Sequence, residues 1–180
     1  MRLGAILHGG RSTRMGRDKA HVVVDGVAMI DRARAVVAAV CDRVVVVGGA
    51  HADVADAVSA DDAGSAFAGV VAAVEFAAGV GAAAVVVVPV DMPLLTPGLL
   101  RRLFDEDDDV SFAGHPLPLV VQATSAPRLR ALFDGGARKL SSCARRTVDV
   151  PIDVPAWRLM NVNAPDDVVA AEAALRASPR

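Results

Sequence analysis

Short runs of β-branched and aliphatic residues alternate along this chain of 180 residues with longer segments of helical period. This alternation is typical of βαβ units, in which helices cover both faces of a mostly parallel sheet. The strand candidates are residues 3–7, 43–47, 84–88, 110–112, 119–122 and 159–162. We therefore predict an α/β fold, a Rossmann-like three-layer sandwich with a mostly parallel sheet, formed by residues 1–180 as a single domain.

Helix periodicity and turn chemistry predict where the helices lie. Apolar side chains recur at Met29, Ala33 and Val37 on one face of a first helix. Thr96, followed by proline, has the features of an N-cap residue, and we predict the same capping role for Ser125 and Asn163 before two later helices.

The charge distribution argues against a general nucleic-acid-binding protein. The net charge is −2, and the basic residues concentrate in residues 11–19 while acidic ones form the run 105–109. A broad basic face is therefore missing, although a local anion site remains open. We predict that the acidic run is a solvated helix end and loop, and not a metal site.

Cysteine usage and hydropathy favour a cytoplasmic protein without a membrane span. Cys41 and Cys143 are far apart and form no Cys-x-x-Cys motif, so they suggest neither a zinc site nor a disulfide scaffold. Residues 69–90 have the length of a membrane span, but Glu75 and two glycines interrupt the segment. We interpret this segment as a helix, a turn and a buried strand.

Residues 7–19 have the composition of a phosphate-binding loop. Gly9 and Gly10 follow a predicted strand directly, and their missing side chains let backbone N–H groups approach a polyanion. The segment matches neither the Walker A pattern nor G-x-G-x-x-G. A solvated loop without a ligand is the alternative. Positive charge comes from Arg11, Arg14, Arg17 and Lys19.

Asp91 is the candidate metal ligand. It follows the most apolar strand candidate, and an aspartate held there suits Mg²⁺, which takes one or two carboxylates and completes its shell with phosphate oxygens and water. Asp91 could instead cap a turn. Because ligands gather beyond the carboxyl ends of parallel strands, we expect the first loop, Gly48 and Asp91 to share one sheet edge.

Residues 7–19, Leu-His-Gly-Gly-Arg-Ser-Thr-Arg-Met-Gly-Arg-Asp-Lys, resemble the signature Leu-Ala-Gly-Gly-x-Ser-x-Arg-Met-Gly-x-Asp-Lys. This signature belongs to the nucleotidyltransferases related to molybdenum cofactor guanylyltransferase. His8 departs from it, since it stands where the family has alanine. The resemblance implies a fold of the nucleotide-diphospho-sugar transferase type and a Mg²⁺-dependent enzyme. It also implies transfer of GMP from GTP to a molybdenum-bearing phosphorylated pterin, with release of pyrophosphate.

The same resemblance implies roles for individual residues. Lys19, Arg14 and Asp91 would be catalytic, and Asp91 would bind the metal. Asp61 or Asp62 would read the base, although either could be a helix cap. The implied nucleotide-binding residues are Leu7, His8, Gly9, Gly10, Arg11, Ser12, Arg14, Met15, Gly16, Lys19, Gly48, Asp61, Asp62, Gly69 and Asp91.

Three segments nearer the carboxyl end resemble parts of the family that bind the acceptor. They are the His-Pro-Leu segment at 115–117, the segment 136–140, in which Ala137 replaces a glutamate, and Asn-Val-Asn-Ala-Pro-Asp-Asp at 161–167. The basic pair in the second segment could also be merely solvated. The implied acceptor-binding residues are His115, Arg138, Lys139, Asn161 and Asn163.

Other functions stay open at this stage. CTP could replace GTP, and another phosphomonoester could replace the pterin. A non-catalytic nucleotide-binding relative is a further alternative. A dinucleotide-dependent oxidoreductase is disfavoured, because its glycine fingerprint is missing. We expect a monomer or a weak oligomer that binds neither nucleic acid nor membranes.

Overall fold

The computed structural model describes residues 1–8, 19–49, 53–54 and 65–177. The described residues form eight strands, and two of them, β2 and β3, make a separate hairpin. The strands are β1 (Arg2–Leu7), β2 (Val23–Val24), β3 (Val27–Ala28), β4 (Arg43–Val47), β5 (Ala84–Pro89), β6 (Val110–Phe112), β7 (His115–Gln122) and β8 (Arg146–Val148).

The main sheet has six strands in the order β4-β1-β5-β7-β6-β8. β1 pairs in parallel with both β4 and β5, and β6 pairs in parallel with β8. β7 is antiparallel to its two neighbours. Five strands therefore point the same way, which confirms the mostly parallel sheet.

Helices cover both faces of this sheet. The helices are α1 (Met29–Ala38), α2 (Ala66–Gly79), α3 (Pro97–Phe104), α4 (Ala126–Asp134) and α5 (Pro165–Ala177). Buried side chains of α1, α3 and α5 pack with Ile6 of β1, whereas those of α2 and α4 pack with Leu3 and Ala5. β1 is apolar on both faces because both are covered. The predicted three-layer sandwich is confirmed.

The strand predicted at residues 159–162 is wrong. Residues Ala156–Leu159 form a short 3-10 helix, and Val162 donates its N–H to the carbonyl of Asp91 at 2.7 Å instead of joining a ladder. The reason lies in the topology, because β5 already pairs with β1 and β7 on its two sides. The segment therefore crosses the end of the sheet.

Two of the three predicted helix caps differ from the structure. Thr96 is the N-cap of α3 as predicted, and its Oγ1 accepts from the Leu99 N–H at 3.4 Å. Ser125 makes no capping bond, because its hydroxyl donates to Asp109 at 2.6 Å. At α5 the carboxylate of Asp167 accepts from the N–H groups of Asn163 and the following alanine, so the Asn163 side chain serves elsewhere.

The prediction for the acidic run 105–109 is correct only in part. Asp105 and Asp107 are exposed, but Asp109 is completely buried. Its carboxylate accepts from the Gln122 N–H at 2.8 Å and from Arg128 Nη2 at 2.8 Å, besides the Ser125 hydroxyl. A buried carboxylate is tolerated here because a guanidinium neutralises it and hydrogen bonds replace its water.

Residues 69–90 form the predicted helix, turn and strand. No helix within the described ranges combines the length and apolar character that a bilayer crossing needs.

Cys41 and Cys143 are free thiols, and burial raises the pKa of each to about 12.

Gly4 allows α1 to pack directly on β1. A Cβ atom at this position would lie 1.9 Å from Val37 Cγ1 and 3.2 Å from Cys41 Sγ. We expect Gly4→Ala to lower the free energy of unfolding by about 1–3 kcal/mol, because an overpacked core must shift to accommodate the methyl group. Urea unfolding followed by circular dichroism measures the loss.

The matched control is Gly79→Ala at the end of α2, where an added Cβ would meet nothing within 4 Å. This variant should lose no stability, because alanine is the better helix former. Equal unfolding midpoints for the two variants would contradict the close contact between α1 and β1.

Candidate active site

Several predicted site residues meet at the carboxyl edge of the sheet. Leu7, the last residue of β1, lies between Val47 of β4 and Pro89 of β5. His8 donates its N–H to the Val47 carbonyl at 2.8 Å, and Asp91 follows β5 by two residues. β7 runs the opposite way, so its first residue, His115, lies at this same edge.

Lys19, Asp91 and Asn163 form the centre of this edge. Lys19 opens a short 3-10 helix, and its Nζ donates to Asp91 Oδ2 at 3.0 Å and to Asn163 Oδ1. The Lys19 and Asp91 side chains are 21% and 19% exposed, so the ion pair is partly shielded but open to a ligand.

The backbone holds these three residues together. The bond from the Val162 N–H to the Asp91 carbonyl brings the segment 161–163 across the end of β5. The Asp167 carboxylate accepts a hydrogen bond from the Asn163 N–H, so it anchors the segment 161–163 to α5. The Asn163 side chain is therefore not needed as the cap, and its amide oxygen accepts a hydrogen bond from Lys19.

The arrangement joins one cation to two oxygen acceptors at an accessible edge. An ammonium group can bind phosphate oxygens as a mobile point charge. A carboxylate and an amide oxygen are ligands that hard divalent cations accept. The centre can therefore hold an anion, a cation, or the two together.

Gly48 and Gly49 form a tight turn beside His8. Their φ angles are 78° and 81°, a region that L side chains rarely adopt. A Cβ atom on Gly49 would lie 2.9 Å from both Nδ1 and the carbonyl oxygen of His8. The turn therefore packs against His8, the residue that stands where the family signature has alanine.

We expect Gly49→Ala to destabilise the protein more than Gly26→Ala does. Both glycines have positive φ, which costs an alanine about 1–2 kcal/mol, but a Cβ on Gly26 meets nothing within 4 Å. The contact with His8 should add about 1–3 kcal/mol to the loss at Gly49. Urea unfolding measures the difference, and equal losses would show that the turn does not pack on His8.

The basic pair predicted to bind the acceptor lies beside α2 and α4. Arg138 is exposed, its guanidinium is 4.2 Å from the Phe133 ring, and its Nη1 donates to the Phe133 carbonyl at 2.7 Å. Phe133 stacks on Phe67 in the first turn of α2. Lys139 is exposed.

Some of the remaining predicted residues lie within the described ranges, and the others lie outside them. Asn161 is exposed next to the centre, and Gly69 is buried within α2. Ser65 is the N-cap of α2, accepting from the Ala68 N–H at 3.1 Å, so neither aspartate considered as its cap fills that position. The predicted residues outside the described ranges are Gly9, Gly10, Arg11, Ser12, Arg14, Met15, Gly16, Asp61 and Asp62.

The bond between Lys19 and Asn163 is the contact in this centre that sequence reasoning missed. The two residues are 144 positions apart, and local patterns assigned Asn163 to a helix cap or to the acceptor. The only available signal was the two carboxylates that follow it in the first turn of α5, either of which could take over the capping role.

The sheet and its charged edge define a class of α/β proteins that bind ligands beyond the carboxyl ends of parallel strands. Residues 4–150 match the model of the MobA-like NTP transferase domain. The chain belongs to this family of nucleotidyltransferases.

Named relatives agree with the family match. The chain is 31% identical to a molybdenum cofactor guanylyltransferase of Rhodobacter capsulatus, with 96% of each chain covered. It is 32% identical to a protein of the same name from Xanthomonas euvesicatoria pv. vesicatoria, covering 77% of this chain and 74% of that one. The solved molybdopterin-guanine dinucleotide biosynthesis protein A of Archaeoglobus fulgidus has the same fold, with a TM-score of 0.74, 22% identity and coverage of 99% and 100%.

Proposed function

We propose that this nucleotidyltransferase moves GMP from GTP onto a phosphorylated pterin that carries molybdenum, and releases pyrophosphate. The observation that carries the proposal is the ion pair between Lys19 and Asp91 at the carboxyl edge of the sheet, in a chain of this family. The names of the two relatives support guanine as the base and the molybdenum cofactor as the acceptor. The free cysteines are compatible with a reaction in the cytoplasm.

The centre fits a magnesium ion. Asp91 Oδ2 and Asn163 Oδ1 both bind a single positive group, the Lys19 ammonium, so their oxygens already face one cationic position. Mg²⁺ needs few protein ligands, because phosphate oxygens and water complete its shell. Asp91 and Asn163 would hold the ion, which would neutralise charge on the triphosphate.

The chain's own part in the reaction is to position charges. The acceptor phosphate would attack the α-phosphorus of the nucleotide, and the bond to the departing pyrophosphate would break. Lys19, with Arg14 of the first loop, would bind the phosphate oxygens whose charge grows during transfer. No general base is required, because a phosphate nucleophile is already anionic. His115, Arg138 and Lys139 would bind the acceptor.

Calorimetric titration with GTP, CTP, ATP and UTP, each with Mg²⁺, tests the nucleotide. We expect GTP to bind most tightly. Asp91→Ala should abolish this binding, whereas the matched variant Asp107→Ala, at an exposed position of the acidic run, should leave it unchanged. A preference for CTP would indicate that the protein transfers CMP and not GMP. No binding of any nucleotide would refute the proposal.

Pyrophosphate release then tests the transfer itself. With GTP, Mg²⁺ and the molybdenum-bearing pterin, the protein should release pyrophosphate in step with formation of the guanylated pterin. The same assay with a simple sugar phosphate is the control for the acceptor. Equal turnover of both acceptors would overturn the assignment of the pterin.

A further inference from the structure

The Lys19 ammonium occupies the position that faces both oxygen ligands of the centre. Its Nζ lies 3.0 Å from Asp91 Oδ2 and also donates to Asn163 Oδ1. The first contact is an ion pair and the second is a hydrogen bond to an amide oxygen. One charged group therefore satisfies, at the same time, two acceptors that come from different parts of the fold.

A second cation cannot use these oxygens while the ammonium holds them. A divalent ion bound to Asp91 Oδ2 would stand within a few ångströms of Nζ, and like charges at that separation repel strongly in a partly shielded site. Binding of the ion and the contact of Lys19 with the two oxygens therefore exclude each other.

We propose that Lys19 is an exchangeable counter-ion that closes the cation site in the nucleotide-free protein. A divalent ion takes over the oxygens of Asp91 and Asn163, and the released ammonium turns to an anionic ligand. The identity of that ligand as a nucleoside triphosphate rests on the proposed function, whereas the exclusion itself rests on the geometry alone. The metal ion alone then binds weakly, and metal and triphosphate bind cooperatively, because the phosphates receive the displaced ammonium.

Manganese binding to the nucleotide-free protein tests the exclusion. Electron paramagnetic resonance of free Mn²⁺ reports the affinity without any turnover. We expect Lys19→Met to bind Mn²⁺ about tenfold or more tightly than the unmodified protein, and Lys19→Met with Asp91→Asn to lose this gain. Arg34→Met, at an exposed position of α1, changes the net charge equally and should leave the affinity unchanged. Equal affinities of Lys19→Met and the unmodified protein would overturn the proposal.

Lysine NMR tests the release of the ammonium directly and without a substitution. The chain contains only two lysines, Lys19 and Lys139, so protein labelled with ¹⁵N at Nζ gives two side-chain signals. Mg²⁺ at saturating concentration should shift and broaden the Lys19 signal, because a released ammonium exchanges its protons with water faster, while Lys139 stays unchanged. A Lys19 signal that does not move under Mg²⁺ would contradict the exchange.

Adding GTP separates this proposal from the proposed function. If the exchange is correct, Mn²⁺ and GTP increase each other's affinity in the unmodified protein, and this coupling falls about tenfold or more in Lys19→Met. If GTP does not bind at all, the proposed function fails, but the Mn²⁺ and Mg²⁺ experiments still decide the exclusion. If GTP binds with a coupling that Lys19→Met retains, the exchange fails and the proposed function stands.

Discussion

Lys19→Met should lower kcat for pyrophosphate release by about 10²- to 10³-fold. The reason is that its ammonium pairs with Asp91 at the sheet edge and would stabilise negative charge on the transferring phosphates, as a preorganised donor does in other transfer reactions. Methionine keeps the length and apolar character of the lysine stem, so packing against the neighbouring residues changes little. Steady-state kinetics with saturating GTP and pterin measures the loss.

Arg34→Met is the control for this prediction, since it removes a positive charge from an exposed position on α1. It should keep kcat within about twofold, because salt screens a solvent-exposed charge under physiological conditions. Circular dichroism and the unfolding midpoint show whether each variant is folded. A folded Lys19→Met enzyme with normal kcat would remove Lys19 from the catalytic assignment.

Arg128→Met should lower the free energy of unfolding by about 3–5 kcal/mol, because it leaves the carboxylate of Asp109 buried without its cation. Asp109 is 0% exposed, and Arg128 is its ion-pair partner at 2.8 Å. The same guanidinium also donates to the carbonyls of Ser142 and Cys143, so the segment after α4 loses its anchor too. Urea unfolding measures the change.

Arg130→Met, two residues further along α4, is a matched control. Arg130 also forms an ion pair with two short hydrogen bonds, both 2.7 Å, but its partner Glu75 is 38% exposed. Removing it should cost no more than about 1 kcal/mol, because water solvates the carboxylate that remains. Similar losses for the two variants would show that the burial of Asp109 does not determine the cost.

Features that depend on neighbours in the sequence could be predicted. The strand 43–47 and the helix cap at Thr96 follow from residue type and spacing over a few positions, and the structure confirms both. The place of Asp91 at the sheet edge was also predictable, because a residue that follows a parallel strand must lie at its carboxyl end. Local sequence determines these features because the interactions that stabilise them join residues only a few positions apart.

Two of the errors concern side chains that had two possible partners. Ser125 could cap α4 or bind a distant carboxylate, and Asp109, buried under a guanidinium, offered the stronger acceptor. Asn163 could cap α5 or bind Lys19, and Asp167 took the cap. In both cases the local rule described a real possibility, but a charged group elsewhere in the fold made the other bond stronger.

The sequence by itself determined the layers of this protein, the direction of most strands and the family to which it belongs, because periodicity and a contiguous signature act over short distances. Only the tertiary structure decided which charges meet. Lys19, Asp91 and Asn163 come from the beginning, middle and end of the chain, and their contact depends on how the last segment crosses the end of β5. Which charged groups pair depends on their positions in space, where burial and competing acceptors set the free energy of each contact. The spacing of residues along the chain therefore does not predict these pairs.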